Sequence, residues 1–254
     1  DVRISVLTQA REHLIKRTIE SLSGLKGKAI LHCYVATSDL HSKFVLGDNR
    51  EHITELAVQG TRLIREGLAA AGLAEKVSYE FSPEEFTDSD LDFVVELCAK
   101  VKECWGEVKD KKDFILNLPA TVERRPPNHY ADMIEYFIRK YPYMDQTSVS
   151  LHAHNDQGCA IAATEMALLA GADRVEGTIF GHGERTGNLD IMVLAMNLYA
   201  RGIDTGLDFS NLEQIVKIVE NCSGIDVHPR HPYAGQLVFT AFSGSHQDAI
   251  RKGM

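Results

Sequence analysis

The stretch SVSLHAHNDQGCAIAATEMALLA, residues 148–170, places a strand, a turn and a helix one after another. Its first part, Ser148–His154, is typical of a β-strand, and its second part, Gly158–Ala170, has helical patterning. A strand followed closely by a helix is the unit from which parallel sheets are built. This stretch therefore predicts an α/β fold.

The same unit recurs along the whole chain. Six strands are predicted at Arg3–Thr8, Ala29–Thr37, Val77–Phe81, Phe114–Pro119, Ser148–His154 and Arg174–Phe180. Helical patterning is found at Glu12–Ser23, Arg50–Ala71, Ser89–Glu103, Tyr130–Lys140, Gly158–Ala170, Leu189–Ala200 and Phe209–Cys222. The repetition predicts a parallel sheet. Periodicity alone fits either an open doubly wound sheet or part of a (β/α)₈ barrel, and in both folds ligands bind at the carboxyl ends of the strands.

The rhythm of strands and helices changes at Asp226–Tyr233, where two prolines and two histidines interrupt any regular element. We predict that a second module begins there, with one helix inside Gly235–Gly253. Because the chain starts at Asp1 rather than at Met, and Val2–Leu7 already has strand character, we also expect further sequence upstream.

The composition excludes some classes of function. Acidic residues outnumber basic ones by 36 to 27 in 254 residues, for a net charge of −9, which argues against a nucleic-acid or anionic-membrane surface. Five cysteines without a CxxC pair indicate reduced thiols. The sequence shows neither an apolar run of about 20 residues nor a secretory signal, which predicts a cytoplasmic or organelle-matrix location and no membrane partner.

The strongest chemical signal is the HxH pattern of His152 and His154 at the end of the fifth predicted strand. Side chains two apart on a strand point to the same face, so both imidazoles are able to converge on one metal ion. Two buried structural histidines are the alternative interpretation.

A second signal is the glycine-rich loop FGHGERTGN, residues 180–188, which follows the last predicted strand. Its glycines permit close approach of a ligand to the main chain, and Glu184, Arg185 and Asn188 supply charge and an amide oxygen. The loop does not have the GxGxxG form of a dinucleotide site. A simple Glu184–Arg185 ion pair is the structural alternative.

Further polar residues lie at the same predicted edge of the sheet. His32 lies inside the second strand, Ser82 and Glu84 follow the third, and Asn117 and Thr121 surround the end of the fourth. Each alone is more often structural, but their common location predicts one site.

Four strings together resemble the 2-isopropylmalate synthase family of leucine biosynthesis: LNLPATVE (116–123), SLHAHND (150–156), GHGERTGN (181–188) and TAFSGSHQD (240–248). The second and third strings also occur, in looser form, in homocitrate and citramalate synthases. The fourth string narrows the resemblance.

The resemblance implies an incomplete (β/α)₈ TIM barrel with six of its eight βα units. The strands would be the third to the eighth, and the first two, with an Arg-Asp pair that contributes a metal ligand, would be missing. Residues 1–225 would be the partial TIM-barrel catalytic domain and residues 226–254 the beginning of a post-barrel linker subdomain.

The resemblance also implies an acyltransferase that condenses acetyl-CoA with 3-methyl-2-oxobutanoate and then hydrolyses the thioester, in a homodimer. The cofactor would be a divalent metal ion, Mg²⁺, Mn²⁺ or Zn²⁺, since imidazole, amide and carboxylate ligands suit all three. His246 would enter the active site of the neighbouring subunit. The implied metal ligands are His152, His154 and Asn188, the catalytic residues Glu84, Glu184 and His246, and the 2-oxo acid pocket His32, Ser82 and Thr121.

Three alternatives stay open on the sequence. One is a related condensing enzyme, a homocitrate or citramalate synthase. Another is a metal-dependent barrel hydrolase, although its HxH pair is expected near the first strand rather than on the penultimate one. The last is an inactive remnant subunit that serves assembly only.

Overall fold

A computed structural model describes residues 2–45 and 49–253 of the chain. Within these residues, six parallel strands form one sheet in the order β1-β2-β3-β4-β5-β6. The strands are β1 Ile4–Gln9, β2 Ala29–Ala36, β3 Val77–Glu84, β4 Phe114–Ala120, β5 Ser148–Ala153 and β6 Arg174–Glu176. Each strand pairs with the next one along the chain, and in the described residues β1 and β6 are not paired to each other.

Helices follow the strands as the repeated units predict. They are α1 Glu12–Ser21, α2 Asp39–Val45, α3 Arg50–Ala70, α4 Leu91–Trp105, α5 Pro127–Lys140, α6 Ala160–Leu169, α7 Ile191–Ala200, α8 Leu212–Ser223 and α9 Gly244–Gly253. The sequence did not predict α2. Across the part of the chain that the structure describes, no helix has the combined length and apolarity that crossing a bilayer requires.

The two faces of the sheet differ in polarity because strand side chains alternate. One face carries fully buried apolar side chains that pack with the helices: Leu31, Cys33, Tyr79, Phe81, Leu116, Leu118, Val149 and Leu151. Burying one such leucine or phenylalanine contributes about 1.5–3 kcal/mol. The intervening positions carry His32, Glu80, Ser82, Asn117 and His152, so the opposite face is polar.

The polar face is concave. His32 on β2 and Glu176 on β6 are four strands apart, which is roughly 19 Å in a flat sheet. Ligand atoms of His32, Glu80 and Glu176 nevertheless lie within 4.8 Å of one another. The sheet therefore curls around its polar face, as six consecutive strands of a barrel do.

Two strand boundaries differ from the sequence prediction by more than one residue. β3 continues to Glu84 because its ladder with β2 extends over Pro83 and Glu84, so Ser82 and Glu84 lie within this strand and not after it. β6 ends at Glu176 instead of Phe180, because its ladder with β5 stops at Glu176, and Phe180 has a left-handed backbone with φ 61°. A short 3₁₀ turn at Ile179–Gly181 follows.

The described residues form two compact units. Unit 1 comprises those of Asp1–Gly177 and Gly183–Leu189, and it contains the whole sheet. Unit 2 comprises those of Thr178–His182 and Asp190–Met254, with α7, α8 and α9. Within unit 2, residues 226–233 contain no helix or strand, as their prolines predict.

Candidate functional site

A cavity of about 290 Å³ opens in unit 1 on the concave polar face of the sheet. The side chains that line it come from strands β1 to β5 and from the segments that follow β4, β5 and β6. Among them are most of the residues that the sequence singled out: His32, Ser82, Glu84, Asn117, Thr121, His152, His154 and Glu184. The polar residues at the ends of separate strands therefore line one cavity.

His152 and His154 converge at this cavity. Their Nε2 atoms lie 3.2 Å apart, and the Nδ2 atom of Asn188 lies 3.2 Å from Nε2 of His152. His154 follows β5 directly and forms an isolated antiparallel bridge with Asn188. The two histidines converge as the strand period predicts, and Asn188 of the glycine-rich loop lies in the same cluster.

Gly183 explains how the glycine-rich loop brings Asn188 to the two histidines. A Cβ atom on residue 183 would lie 2.9 Å from Cγ of Asn188 and 3.4 Å from its backbone nitrogen, and it would overlap the Oδ1 atom. Only glycine leaves the space that this amide occupies. Gly183 is needed for close approach and not for a left-handed backbone, because its φ is not in the positive range.

Burial favours the neutral form of two imidazoles, those of His32 and His154. It lowers the pKa of His32 to about 4, and burial followed by the charge of His152 lowers the pKa of His154. Nη2 of Arg185 lies 2.6 Å from Nδ1 of His154, and since a guanidinium only donates, the proton of neutral His154 lies on Nε2. An ion can bind at that atom only if the proton moves and the Arg185 contact opens.

Arg185 has a stronger partner than the glutamate beside it. Its Nε lies 2.7 Å from Asp156, against 3.6 Å between its Nη1 and Glu184. The side chain of Glu184 is 81% exposed. The Glu184–Arg185 ion pair is therefore present, but Asp156 is the nearer partner of Arg185, which ties its loop to the segment after β5.

A charged network lies beside the histidine pair, and the sequence did not identify it. Glu176 accepts from Asn117 at 3.4 Å and from Ser150 at 3.2 Å, and it lies 3.0 Å from Nδ1 of His152. Arg174 contacts Glu176 and donates to Ser150 at 2.9 Å. The spacing of Arg174 and Glu176 on one short strand, two residues apart, was the available signal, because it puts both on one face.

His32, Glu80 and Glu176 are a further group whose ligand atoms, all within 4.8 Å, can hold a metal ion. Burial and the neighbouring Glu176 raise the pKa of Glu80 to about 9. Nη1 of Arg174 lies 3.2 Å from Glu80 and also contacts Glu176. A cation from the chain itself therefore already neutralises this group.

The residues predicted for the 2-oxo acid pocket have defined hydrogen bonds. Nε2 of His32 lies 2.6 Å from Oγ of Ser82, which accepts from Asn117 at 3.0 Å. Oγ1 of Thr121 accepts from the backbone nitrogen of Glu85 at 3.0 Å. The hydroxyl hydrogen of Thr121 is then free to donate into the cavity.

The candidate catalytic residues lie in different places. Glu84 is the last residue of β3, and burial, with the nearby Glu85, raises the pKa of its carboxyl group. Thr37 fixes its backbone through two hydrogen bonds of 3.0 Å to the Glu84 carbonyl. His246 lies on α9 in unit 2, and its side chain is exposed.

A curled parallel α/β sheet with polar residues converging at the strand ends defines a barrel-type enzyme scaffold with groups that can hold a metal ion. The chain belongs to the HMGL-like family, whose model matches residues 1–219. Residues 236–254 match a second model, described as alpha-isopropylmalate synthase, post-catalytic domain-like.

Curated relatives match the whole chain. It is 54% identical to the 2-isopropylmalate synthase of Rhodospirillum rubrum, over 100% of this chain and 45% of that protein. It is 51% identical to 2-isopropylmalate synthase 2, mitochondrial, of Saccharomyces cerevisiae, over 100% of this chain and 42% of the relative. The chain thus spans less than half the length of these relatives.

Solved structures share the fold at low sequence identity. The HMG-CoA lyase of Brucella melitensis has a TM-score of 0.64 at 18% identity, covering 88% of this chain and 75% of its own. The N-terminal domain of a putative aldolase from Bacteroides vulgatus has a TM-score of 0.58 at 13% identity, covering 99% and 76%. These likenesses support the incomplete-barrel fold.

The residues of the histidine cluster fit a divalent metal ion. Two imidazoles face one point, and the amide of Asn188 can present its oxygen there because amide O and N are assigned from the hydrogen-bond network. Imidazole nitrogen and amide oxygen are ligand types that Zn²⁺ and Mn²⁺ accept, and the oxygen also suits Mg²⁺.

Proposed function

We propose that this chain is the catalytic region of a 2-isopropylmalate synthase, which condenses acetyl-CoA with 3-methyl-2-oxobutanoate and hydrolyses the thioester product. One observation carries the proposal. His152, His154 and Asn188 converge beside a cavity that His32, Ser82, Glu84 and Thr121 also line. The identity of 51–54% to eight curated 2-isopropylmalate synthases supports the choice of substrates.

We assign the divalent metal ion, Mg²⁺, Mn²⁺ or Zn²⁺, to His152, His154 and Asn188. We prefer the histidine cluster to the group of His32, Glu80 and Glu176 as the metal site. Arg174 already supplies a positive charge to that second group. A bound ion would polarise the 2-oxo group of the substrate and stabilise the alkoxide that develops on it.

The other cavity residues supply binding and proton transfer in this proposal. His32, Ser82 and Thr121 present hydrogen-bonding groups that orient the 2-oxo acid. Glu84, whose pKa is raised by burial, is suited to hold or exchange a proton at the cavity wall. Glu184 adds a negative charge at the mouth. We assign the removal of the acetyl methyl proton to Glu84 and His246 as a pair.

We further propose that residues 1–225 are the catalytic barrel region and residues 226–254 the start of a linker subdomain. The family matches support this division, since one ends at residue 219 and the other begins at residue 236. We also propose a homodimer in which His246 enters the cavity of the partner subunit. The proposed location is the cytoplasm or, for a eukaryotic source, the mitochondrial matrix, as the name of the yeast relative suggests.

The reaction is tested with the protein expressed from its complete gene. Purified protein is incubated with acetyl-CoA and, separately, with 3-methyl-2-oxobutanoate, pyruvate and 2-oxoglutarate, and the products are identified by mass spectrometry. We expect 2-isopropylmalate as the preferred product. Preferred condensation with pyruvate or 2-oxoglutarate would favour the citramalate or homocitrate alternative, and the absence of any condensation would favour a hydrolase or an inactive subunit.

The shared site is tested by mixing two inactive variants. His246→Ala and His152→Ala should each lose turnover, and subunit exchange between them should restore up to about a quarter of the wild-type sites. Exchange is verified independently with differently tagged subunits. If verified mixed dimers show no recovery of turnover, a site built from two chains would be contradicted.

A further inference from the structure

Glu176 and His152 are register partners on adjacent parallel strands, β6 and β5. Their side chains therefore project from the same face of the sheet. Oε2 of Glu176 lies 3.0 Å from Nδ1 of His152, and their side chains are 18% and 30% exposed. The contact is built into the sheet and does not depend on a loop.

This contact determines which nitrogen of His152 carries the proton. A carboxylate only accepts hydrogen bonds, so Nδ1 holds the ring proton and Nε2 keeps its lone pair. Arg174 contacts the same carboxyl group, so a positive charge lies beside it. Nε2 is the atom that faces His154 and Asn188.

Glu176 is itself held in place from several directions. Oε2 accepts from Asn117 at 3.4 Å, Oε1 accepts from Ser150 at 3.2 Å, and Arg174 contacts Oε1 as well. Both carboxylate oxygens are thus engaged by donors. This arrangement suits a group that orients a neighbour better than one that binds an ion directly, although Glu176 also belongs to a group that can hold one.

We propose that Glu176 is a positioning residue, which fixes the tautomer and the ring orientation of His152 so that Nε2 is presented to the divalent ion. The inference rests on the proposed function, since it requires the ion to bind at His152, His154 and Asn188. Carboxylate partners of this kind commonly contribute about 10–100-fold to metal affinity.

The experiment measures binding of Co²⁺ alone, by equilibrium dialysis and by its visible absorption spectrum, to the protein expressed from its complete gene. Glu176→Ala should weaken binding about 10–100-fold. Glu176→Gln should weaken it less, because an amide oxygen still accepts from Nδ1, and should shift the Co²⁺ bands because the ligand ring loses its anionic partner. Thermal unfolding is recorded for each variant.

Glu80→Gln is the matched control. Glu80 belongs to the same buried network and contacts Arg174 at 3.2 Å, but the hydrogen bond to His152 is made by Glu176. If Glu176 has a positioning role, Glu80→Gln should have a Co²⁺ dissociation constant within about threefold of the wild-type value. That change is well below the effect expected for Glu176→Ala. Equal losses in the Glu80 and Glu176 variants would show that the loss does not depend on the hydrogen bond to His152, and would overturn the proposal.

The remaining outcomes separate the inference from the proposed function. His152→Ala should abolish tight Co²⁺ binding. If His152→Ala loses Co²⁺ binding while both Glu176 variants bind Co²⁺ with wild-type affinity and spectrum, the positioning role is wrong and the metal site is supported. If His152→Ala binds normally, both the inference and the proposed site fail. If Glu176→Ala does not fold, the Glu176→Gln variant decides between these outcomes. It should fold because Arg174 still has Glu80 as an acidic partner.

Discussion

Gly183 lies against the side chain of Asn188, so closely that a methyl group on residue 183 would be 2.9 Å from Cγ of Asn188. Gly183→Ala should therefore displace the amide from the histidine pair. We expect affinity for a divalent ion to fall about tenfold or more, in the range seen when the surroundings of a metal ligand are disturbed. Isothermal titration with Mn²⁺ measures the change.

The matched control for that substitution is Gly27→Ala. Among the described residues, no heavy atom apart from the chain neighbours lies within 4 Å of a Cβ at residue 27, and its φ is not in the left-handed range. Metal affinity should match the wild type in this variant. If Gly183→Ala bound Mn²⁺ with wild-type affinity, the observed position of Asn188 would not be required for metal binding.

The sequence could predict the six βα units because each carries its own local pattern. It placed His152 and His154 together through the strand period alone. It could not bring Glu176 to His152, since that contact depends on strand register, and register is determined by packing over the whole sheet. Nor did it foresee the end of β6, because the apolar residues after Glu176 have strand-like composition while Phe180 adopts a left-handed backbone.

In unit 2, His231 lies between two acceptors. Its Nε2 is 2.6 Å from Asp190, and its Nδ1 is 2.8 Å from the carbonyl of Pro232. The hydrogen bond to Asp190 raises the pKa of His231, against the effect of burial. Because the folded pKa exceeds the unfolded value of about 6.5, this stabilisation is complete below about pH 6.5 and is lost as pH rises through the folded value.

His231→Gln should accordingly lower the free energy of unfolding by about 1.5–3 kcal/mol at pH 6 and by less at pH 9. Urea unfolding at both values measures the difference from the wild type. His228→Gln, at an exposed histidine nearby, should have little effect at either pH. A deficit for His231→Gln that grows as the pH rises would contradict the raised pKa.

Glu123 stabilises the start of α6. Its buried carboxylate accepts from the backbone nitrogens of Gln157 and Cys159, the latter at 3.0 Å. Glu123→Ala should cost about 1–3 kcal/mol in unfolding free energy, because the N–H groups of Gln157, in the turn before α6, and of Cys159, its N-cap residue, lose their acceptor. Thermal and urea unfolding test this expectation.

The comparison variant for Glu123 is Glu135→Ala, which removes a solvent-exposed pair with Arg139. An exposed pair of this kind contributes about 0.5 kcal/mol or less. Equal stability of the two variants would mean that Glu123 does not cap α6 in solution.

The thiols should differ widely in reactivity. Burial raises the pKa of Cys33 to about 12 and also raises the pKa of Cys98, whereas Cys222 is exposed. Iodoacetamide labelling followed by peptide mass spectrometry should modify Cys222 in the native protein and the two buried thiols only in denaturant. Labelling of Cys33 at the rate of Cys222 would contradict the packed core around β2.

The position of the ion tests the central claim most directly. Crystals of the protein grown with Zn²⁺ can be measured at the zinc absorption edge, and an anomalous difference map locates the ion without assumptions about its ligands. We predict one strong peak about 2.0–2.1 Å from Nε2 of His152 and of His154, with Asn188 beside it. A strong peak among His32, Glu80 and Glu176 with none at the histidine pair would contradict the account.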